Sequence, residues 1–214
     1  MEATVTLLRK RALSKQTFEI ELSRPEAFDF QPGQRIQISA GPDCRDYSLV
    51  NGPSGANLKL CIRKVAGGRM TAYLHSCPER TSIRIRGPFG YFVFRPSNLA
   101  AVFVATGTGI APFVSMARGG VRGFTLLHGV RSPEECYYAD TLREAATRYV
   151  ACISAAGVPD SAFFSGRVTD FLSRHLDPGR YDFYLCGRRE MIRDVTWLVD
   201  EGFEGSKIYS EQFF

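Results

Sequence analysis

In the first half of the chain, hydrophobic and polar residues alternate over short stretches. Segments such as TFEIELS, QRIQISA and TSIRIRG place every second side chain on an apolar face, which is the period of a β-strand with one buried side. Turn-forming sequences, among them QPGQ, NGPSGAN and AGG, separate these segments. Short strands of this kind predict an antiparallel barrel or sandwich, with one helix near GRMTAYLHS.

After residue 97 the pattern changes to apolar strands that alternate with amphipathic segments. The predicted strands are AAVFVATGT, FTLLHGV, YVACISAA, YDFYLCG and a final SKIYSEQFF. The predicted helices are GIAPFVSMARGG, TLREAATRY, GRVTDFLSRHL and RREMIRDVTWLVDEG. Strands that alternate with helices predict a doubly wound parallel sheet. We therefore expect two domains, residues 1–97 and 98–214, which suits a length of 214 residues.

Charge is divided unevenly between these halves. Residues 1–97 contain 15 Lys and Arg against 8 Asp and Glu, a net +7, whereas residues 98–214 contain 12 against 14, a net −2. A basic first half suits an anionic cofactor, an acidic protein or nucleic acid. Because many of these basic residues alternate along strands rather than clustering on a helix, nucleic acid is not the expected partner.

The cysteines favour a protein of a reducing compartment. All six are at least 16 positions apart, which excludes the closely spaced pairs typical of zinc and iron–sulfur sites. We predict no metal site and expect buried, reduced thiols in a cytoplasmic protein. The N-terminus does not resemble a secretion signal, and no apolar run approaches the roughly 20 residues of a membrane span.

Two glycine-bearing strand ends in the second half suggest a ligand site. In ATGTGIAP, Gly107 and Gly109 follow a buried strand and open a helix, where backbone and helix dipole favour phosphate. Pro112 makes this segment different from the GxGxxG fingerprint. YLCGRRE ends another strand, and both strands should end at the carboxyl edge of one sheet, where such folds bind ligands.

In the first half, RDYSLVN and GGRMT carry further candidate chemistry. In this order and spacing, the segments resemble the ferredoxin–NADP reductase superfamily over essentially the whole chain. The resemblance rests on Arg45-x-Tyr47-Ser48, LCIRKV, Gly68-x-x-Thr71, GPFGYF, ATGTGIAP, YLCGRREM and the terminal SEQFF. It implies an N-terminal antiparallel β-barrel that binds flavin, followed by an α/β domain that binds a nicotinamide dinucleotide. The basic first half, Arg45, the GGRMT turn and an extra terminal aromatic residue available for adenine favour FAD as the flavin, with FMN as the alternative, and the hydride donor would be NADPH or NADH.

The resemblance assigns roles in the first half to matching positions. Arg45 would bind the flavin phosphates through its fork of donors, Tyr47 would pack against the isoalloxazine ring, and Ser48 would hydrogen-bond near flavin N5. The turn and helix start that receive the pyrophosphate would be formed by Gly68, Arg69, Met70 and Thr71.

In the second half, the resemblance implies that Gly107, Thr108 and Gly109 hold the dinucleotide. Cys186 and Gly187 would border the nicotinamide. Near the C-terminus, Glu211 would complete the redox pocket, Phe213 would stack on the second flavin face, and Phe214 would cover the adenine. The catalytic group would thus consist of Ser48, Cys186, Glu211 and Phe213.

A mild preference for NADPH is also expected. Arg131 follows the predicted strand FTLLHGV, and Arg167 could approach the same place from the next connection, so both could bind a 2′-phosphate. An arginine that often follows the serine of the fourth segment in NADP-using relatives is absent, since Ser154 precedes Ala155. The chain also departs from the family where Arg188 replaces the usual proline after Cys-Gly, and where the chain ends in Phe-Phe rather than in tyrosine or tryptophan.

The implied function is transfer of hydride from NAD(P)H to bound FAD, and then of electrons to a separate acceptor. Ferredoxin, flavodoxin or an oxygenase component would fill that place, because the sequence contains no cysteine-rich ferredoxin domain. An acidic acceptor would suit the basic first half. Two alternatives remain open: a free-flavin reductase or diaphorase, and a non-catalytic electron-transfer subunit of a larger complex.

Overall fold

The computed structural model describes residues 1–155 and 163–213, which pack as two compact units. The first unit contains Met1–Phe94 and Ala111–Gly119. The second contains Arg95–Ile110 and the described part of Gly120–Phe214. The helix α2, Ala111–Arg118, therefore packs with the first unit although it lies in the second half of the sequence.

The first unit is an antiparallel barrel. Its strands are β1 Glu2–Ala12, β2 Thr17–Ser23, β3 Arg35–Ala40, β4 Asp43–Ser48, β5 Asn57–Arg63 and β6 Ser82–Phe89. They pair antiparallel in the order β4-β3-β6-β1-β2-β5. An isolated antiparallel bridge from Leu49 to Leu60 joins the two edges. The alternation of hydrophobic and polar residues allowed either a barrel or a sandwich, and the closed sheet shows that this unit is a barrel.

Two helices complete this unit. Helix α1, Arg69–Ser76, buries Met70 and Leu74 in the barrel core. Helix α2 is held by specific contacts: the Ser115 hydroxyl donates to the Asn51 carbonyl at 2.8 Å, and the Phe113 ring meets the Phe92 ring edge to face at 5.7 Å. These contacts join segments more than 20 residues apart in the sequence, which explains why periodicity alone could not place α2.

The second unit is a parallel sheet. Its strands are β7 Ala100–Thr106, β8 Thr125–Val130, β9 Arg148–Ile153, β10 Phe164–Ser165, β11 Tyr181–Arg188 and β12 Lys207–Phe213. The strands are ordered β10-β9-β8-β7-β11-β12, and each described pair is parallel. The helices are α3 Ala139–Ala145, α4 Val168–His175 and α5 Arg189–Gly202. Short 3₁₀ turns occupy Gly107–Ile110 and Pro133–Glu135.

The direction of the chain reverses between β7 and β11. From β7 the chain proceeds outward through β8, β9 and β10, and then crosses to the other side to form β11 and β12. The carboxyl ends of β7 and β11 are thus a topological switch point, where open α/β sheets bind ligands. Alternate residues of the central strands, such as Val102 and Leu185, pack with α4 and α5 in one apolar core.

The predicted elements are confirmed, with small differences. The strand expected from YSLVN begins at Asp43 and ends at Ser48, while the two-residue β10 and the turn at Pro133–Glu135 carry too short a pattern to be predicted. All six cysteines lie within the described residues and are free thiols. The expectation that they are buried is wrong for Cys44, which is exposed, and incomplete for Cys136, which is partly exposed. Within residues 1–155 and 163–213, the structure contains no helix that is both long and apolar enough to cross a membrane.

Candidate cofactor sites

The first unit brings together the two segments that were predicted to hold flavin phosphates. Strand β4 runs beside the start of α1, and the Asp43 carboxylate accepts a hydrogen bond from the Arg69 guanidinium at 2.7 Å. Arg45 lies two residues further along β4 and is exposed, with its guanidinium donating to the neighbouring Cys44 carbonyl at 2.7 Å. Two arginines of different segments therefore border one surface.

The first turn of α1 presents backbone N–H groups that could bind an anion. Gly68 is the N-cap residue, and no side chain of the described residues caps it. The first intrahelical bond runs from the Ala72 N–H to the Gly68 carbonyl at 3.0 Å, so the N–H groups of Arg69, Met70 and Thr71 precede it. Such a helix start favours a phosphate through its N–H groups and dipole.

The turn before α1 is shaped by Thr71. Its hydroxyl accepts from the Val65 N–H and donates to the Gly68 carbonyl, both at 3.2 Å. The hydroxyl is thus engaged within the turn, and the Met70 side chain is buried in the core, which leaves the backbone as the contribution of both residues. A depression of about 490 Å³ beside this turn is bordered by Gly67, Gly68, Lys64 and Arg69. Basic side chains around a helix start fit the phosphates of FAD.

Tyr47 and Ser48 lie at the end of β4. Tyr47 pairs with Ile36 and Arg45 pairs with Ile38, so the two predicted residues share one face of the strand. Burial raises the pKa of the Tyr47 phenol to about 12, an effect that Arg45 partly opposes. The phenol therefore stays neutral and offers a ring rather than a charge. Ser48 lies on the opposite face of β4 from Tyr47 and is buried, whereas Cys44 and Asp46 on that same face are exposed.

In the second unit, the carboxyl ends of β7 and β11 meet through backbone. A Cβ atom on Gly109 would overlap the Cys186 carbonyl, with its carbon at 2.7 Å. Gly187 has a φ of +137°, and a Cβ there would overlap the Thr106 hydroxyl and lie 3.0 Å from the Thr106 N and O atoms. Only glycine allows the turn after β7 to pack this closely on β11. The predicted dinucleotide segments thus meet at the switch point.

Arg188 adds a hydrogen bond at this junction. Its backbone N–H donates to the Thr106 hydroxyl at 2.9 Å. A proline at this position, which is usual in the family, has no N–H to donate. Arg188 has a φ of −67°, which proline also adopts, so one backbone conformation accommodates both residues. The exposed Arg188 side chain extends from the edge where Gly107 and Gly187 lie.

The residues predicted around the nicotinamide lie side by side on β11 and β12. Cys186 pairs with Glu211, and Arg188 pairs with Phe213. Cys186 is fully buried, and its thiol pKa is raised well above the usual value by burial and, secondarily, by Glu211. The Cys186 thiol is therefore neutral. Phe214 lies outside the described residues.

Arg131 and Arg167 are both exposed but lie just beyond the ends of different strands, β8 and β10. Arg131 directly follows β8, and its backbone N–H donates to the Glu135 carboxylate at 3.1 Å. Arg167 directly precedes α4, and its N–H donates to the Asp170 carboxylate at 2.8 Å. Strands β8 and β10 are separated by β9, a spacing of roughly 10 Å. Arg131 is thus one strand from β7, whereas Arg167 is attached to the far edge.

A histidine that the sequence left with only a structural role contacts the glycine turn. His128, on β8, is fully buried, and its Nε2 lies 3.1 Å from the Gly107 carbonyl. The sequence held one signal for it, because His128 is a polar residue in an otherwise largely apolar predicted strand. The strand order needed to join His128 to Gly107 was not readable from the sequence.

Comparison with known proteins agrees with both units. The family model described as an oxidoreductase FAD-binding domain matches residues 4–94, and that of an oxidoreductase NAD-binding domain matches residues 103–196. The first model spans the segments around Arg45 and Gly68, and the second spans those around Gly107 and Cys186.

Relatives match nearly the whole chain. The ferredoxin–NAD(P)(+) reductase component of a naphthalene 1,2-dioxygenase system from Pseudomonas putida is 30% identical, with coverage of 100% of this chain and 69% of that protein. Ferredoxin–NADP reductase B from Sorangium cellulosum is 32% identical, with coverage of 90% and 89%. A solved ferredoxin NADP+ reductase from Neisseria gonorrhoeae with bound FAD and NADP superposes with a TM-score of 0.87 at 25% identity, covering 100% of this chain and 99% of that one.

Fold, site and relatives together define an oxidoreductase with FAD-binding and NAD-binding domains. The chain belongs to the ferredoxin–NADP reductase superfamily.

Proposed function

We propose that this protein is an FAD-containing reductase that takes hydride from NAD(P)H and passes electrons to a separate protein acceptor. The observation that carries the proposal is a pair of candidate sites, one in each unit. The first unit offers an uncapped helix start bordered by Arg45 and Arg69, and the second offers a glycine turn at the switch point of a parallel sheet.

In this proposal, the protein's own residues bind and orient the flavin and the dinucleotide. Arg45 and the start of α1 would bind the flavin phosphates, the neutral Tyr47 ring would pack against the isoalloxazine, and Ser48 would orient it by a hydrogen bond. When bound, the flavin supplies the chemistry that links two-electron hydride transfer to one-electron steps. On the second unit, the turn Gly107–Gly109 would receive the dinucleotide, while Cys186 and Glu211 would border the nicotinamide. Phe213 would cover the flavin face at which the nicotinamide would bind.

The expected acceptor is a ferredoxin, a flavodoxin or the component of an oxygenase. Relatives named as reductase or electron transfer components of dioxygenase systems support this choice. The net charge of +7 over residues 1–97 favours an acidic partner. We assign FAD binding to residues 1–97 and dinucleotide binding to residues 98–214. Six free cysteines favour the cytoplasm.

An anaerobic titration of the purified protein tests the proposal. We expect a yellow protein whose visible absorbance is bleached by NADPH or NADH. Added ferredoxin should restore the absorbance, and the rate of this recovery should match the rate of electron transfer to the ferredoxin. A colourless protein that reduces added flavin would favour the free-flavin reductase. A yellow protein that NAD(P)H does not bleach would favour the non-catalytic subunit.

We also propose a mild preference for NADPH, based on Arg131. Arg131→Ala should raise the KM for NADPH several-fold and leave the KM for NADH nearly unchanged, because only NADPH carries the 2′-phosphate. Arg167→Ala is the matched variant, with a smaller effect expected from its position at the far edge. Equal or higher kcat/KM of the wild-type enzyme with NADH would contradict the preference.

A further inference from the structure

Three residues form a hydrogen-bonded chain behind the glycine turn, with the fully buried His128 at its centre. The Nε2 atom of His128 lies 3.1 Å from the Gly107 carbonyl oxygen, and its Nδ1 atom lies 3.2 Å from the Tyr149 hydroxyl. His128 is on β8 and Tyr149 on β9, the two strands next in order after β7. This series of hydrogen bonds therefore runs from β9 through β8 to the end of β7, and it ends at Gly107, the first residue of the turn.

The partners determine how the imidazole is protonated. A carbonyl oxygen can only accept, so Nε2 carries the proton, and Nδ1 is then the acceptor of the Tyr149 hydroxyl hydrogen. Burial lowers the pKa of His128 to about 4, which keeps the ring neutral near pH 7 and preserves this single tautomer.

Tyr149 is itself held in place. The Arg143 guanidinium lies over its ring, 5.2 Å from the ring centroid. Burial raises the pKa of Tyr149 above its usual value, so the hydroxyl remains protonated and can donate to His128. The ring of His128 therefore has a fixed orientation.

The carbonyl that His128 holds belongs to a residue with an unusual backbone. Gly107 has a φ of +54° and begins the 3₁₀ turn Gly107–Ile110. A short turn of this type has weak hydrogen bonds of its own, so a buried donor on its first carbonyl restricts its conformation strongly.

We propose that His128 and Tyr149 are positioning residues that hold the Gly107–Gly109 turn in the conformation that receives the nicotinamide dinucleotide. The inference rests on the proposed function, since it requires that the dinucleotide binds at this turn. Neither side chain contacts the ligand, and their effect passes through the Gly107 carbonyl.

Variants of the full-length, FAD-loaded protein test the inference. His128→Leu removes the donor to Gly107, His128→Gln keeps an Nε2 donor, and Tyr149→Phe removes the hydroxyl that orients the ring. His175→Leu is the matched control, because His175 lies in the same unit and its ring packs against Phe164 and Phe171 instead. The measurements are NADP⁺ affinity by calorimetry, hydrogen exchange of residues 107–109, and KM and kcat for NADPH with ferricyanide.

For His128→Leu we expect about tenfold weaker NADP⁺ binding and a similarly raised KM, with kcat within about twofold, as for a lost buried hydrogen bond. Exchange at residues 107–109 should accelerate. His128→Gln should recover most of the affinity, Tyr149→Phe should weaken binding about threefold, and His175→Leu should bind normally.

The inference is overturned if His128→Leu binds NADP⁺ like the wild type, or if His128→Gln is as impaired as His128→Leu. If His128→Leu does not fold, Tyr149→Phe decides, and unchanged affinity and exchange in that variant overturn the inference. A wild-type protein that holds FAD but binds neither NADP⁺ nor NAD⁺ would instead refute the proposed function.

Discussion

The two cofactor sites are built from different parts of the polypeptide. In the first unit, exposed arginines and an open helix start form the candidate flavin site, and the barrel core lies beneath them. In the second unit, the candidate dinucleotide site consists of backbone whose polar groups are hydrogen-bonded to the side chains of Thr106 and the fully buried His128, and His128 is in turn hydrogen-bonded to Tyr149. Substitutions in the first site should therefore lower ligand affinity without lowering the stability of the fold. Substitutions in the second site should lower both ligand affinity and stability.

Gly187→Ala should give the largest effect. The new Cβ would overlap the Thr106 hydroxyl at a φ of +137°, so we expect a loss of roughly 3–5 kcal/mol in the free energy of unfolding. Chemical denaturation monitored by circular dichroism measures it. Gly202→Ala is the control, because a Cβ at Gly202 has no heavy atom within 4 Å. Equal stabilities of the two variants would contradict the close packing of β7 and β11.

Acidification should destabilise the second unit through His128. Its pKa is about 4 in the folded protein and about 6.5 in an unfolded chain. The unfolded state binds more protons between these values, so the free energy of unfolding falls as the pH drops from 6.5 to 4, by up to about 3 kcal/mol. Urea titrations at several pH values measure the slope. His128→Gln should lack this component while retaining the contribution of the carboxylates, and an identical slope in both proteins would exclude a buried neutral imidazole.

Arg45→Ala should reduce FAD affinity and leave folding unchanged. The loss of a charge-assisted bond corresponds to about 1.5–3 kcal/mol of binding free energy, and the exposed side chain contributes little to stability. Equilibrium dialysis of FAD and thermal melts of the apoprotein measure the two effects separately. Arg84→Ala, at another exposed arginine of the barrel, should retain normal affinity. Chromatography of the wild-type chromophore should identify FAD, and release of FMN alone would refute that assignment.

Arg188→Pro should give the smallest effect. Proline fits a φ of −67° but removes the N–H that donates to Thr106. Loss of this hydrogen bond should lower the free energy of unfolding by about 1 kcal/mol. Proline also restricts the unfolded chain, which offsets part of that loss. Arg188→Ala keeps the N–H and should match the wild type in stability. If Arg188→Pro unfolds the second unit, the backbone at this position differs from the one described.

The sequence by itself determined the elements and most of the chemistry-bearing segments. Alternation with a period of two marked the barrel strands, and continuous apolar runs marked the parallel ones, because the faces that a strand buries impose that pattern on its own residues. The segments around Arg45, Gly68, Gly107 and Gly187 were also recognisable, because each is a local motif of turn and strand end.

Only the tertiary structure decided which of these segments meet. The adjacency of β7 and β11, the overlap that excludes a side chain at Gly187, and the bond from His128 to Gly107 all depend on strand order. Likewise, α2 belongs in sequence to the alternating strands and helices of the second half, but it packs with the barrel. Strand order and packing arise from contacts between residues distant in the chain, and no local period records them.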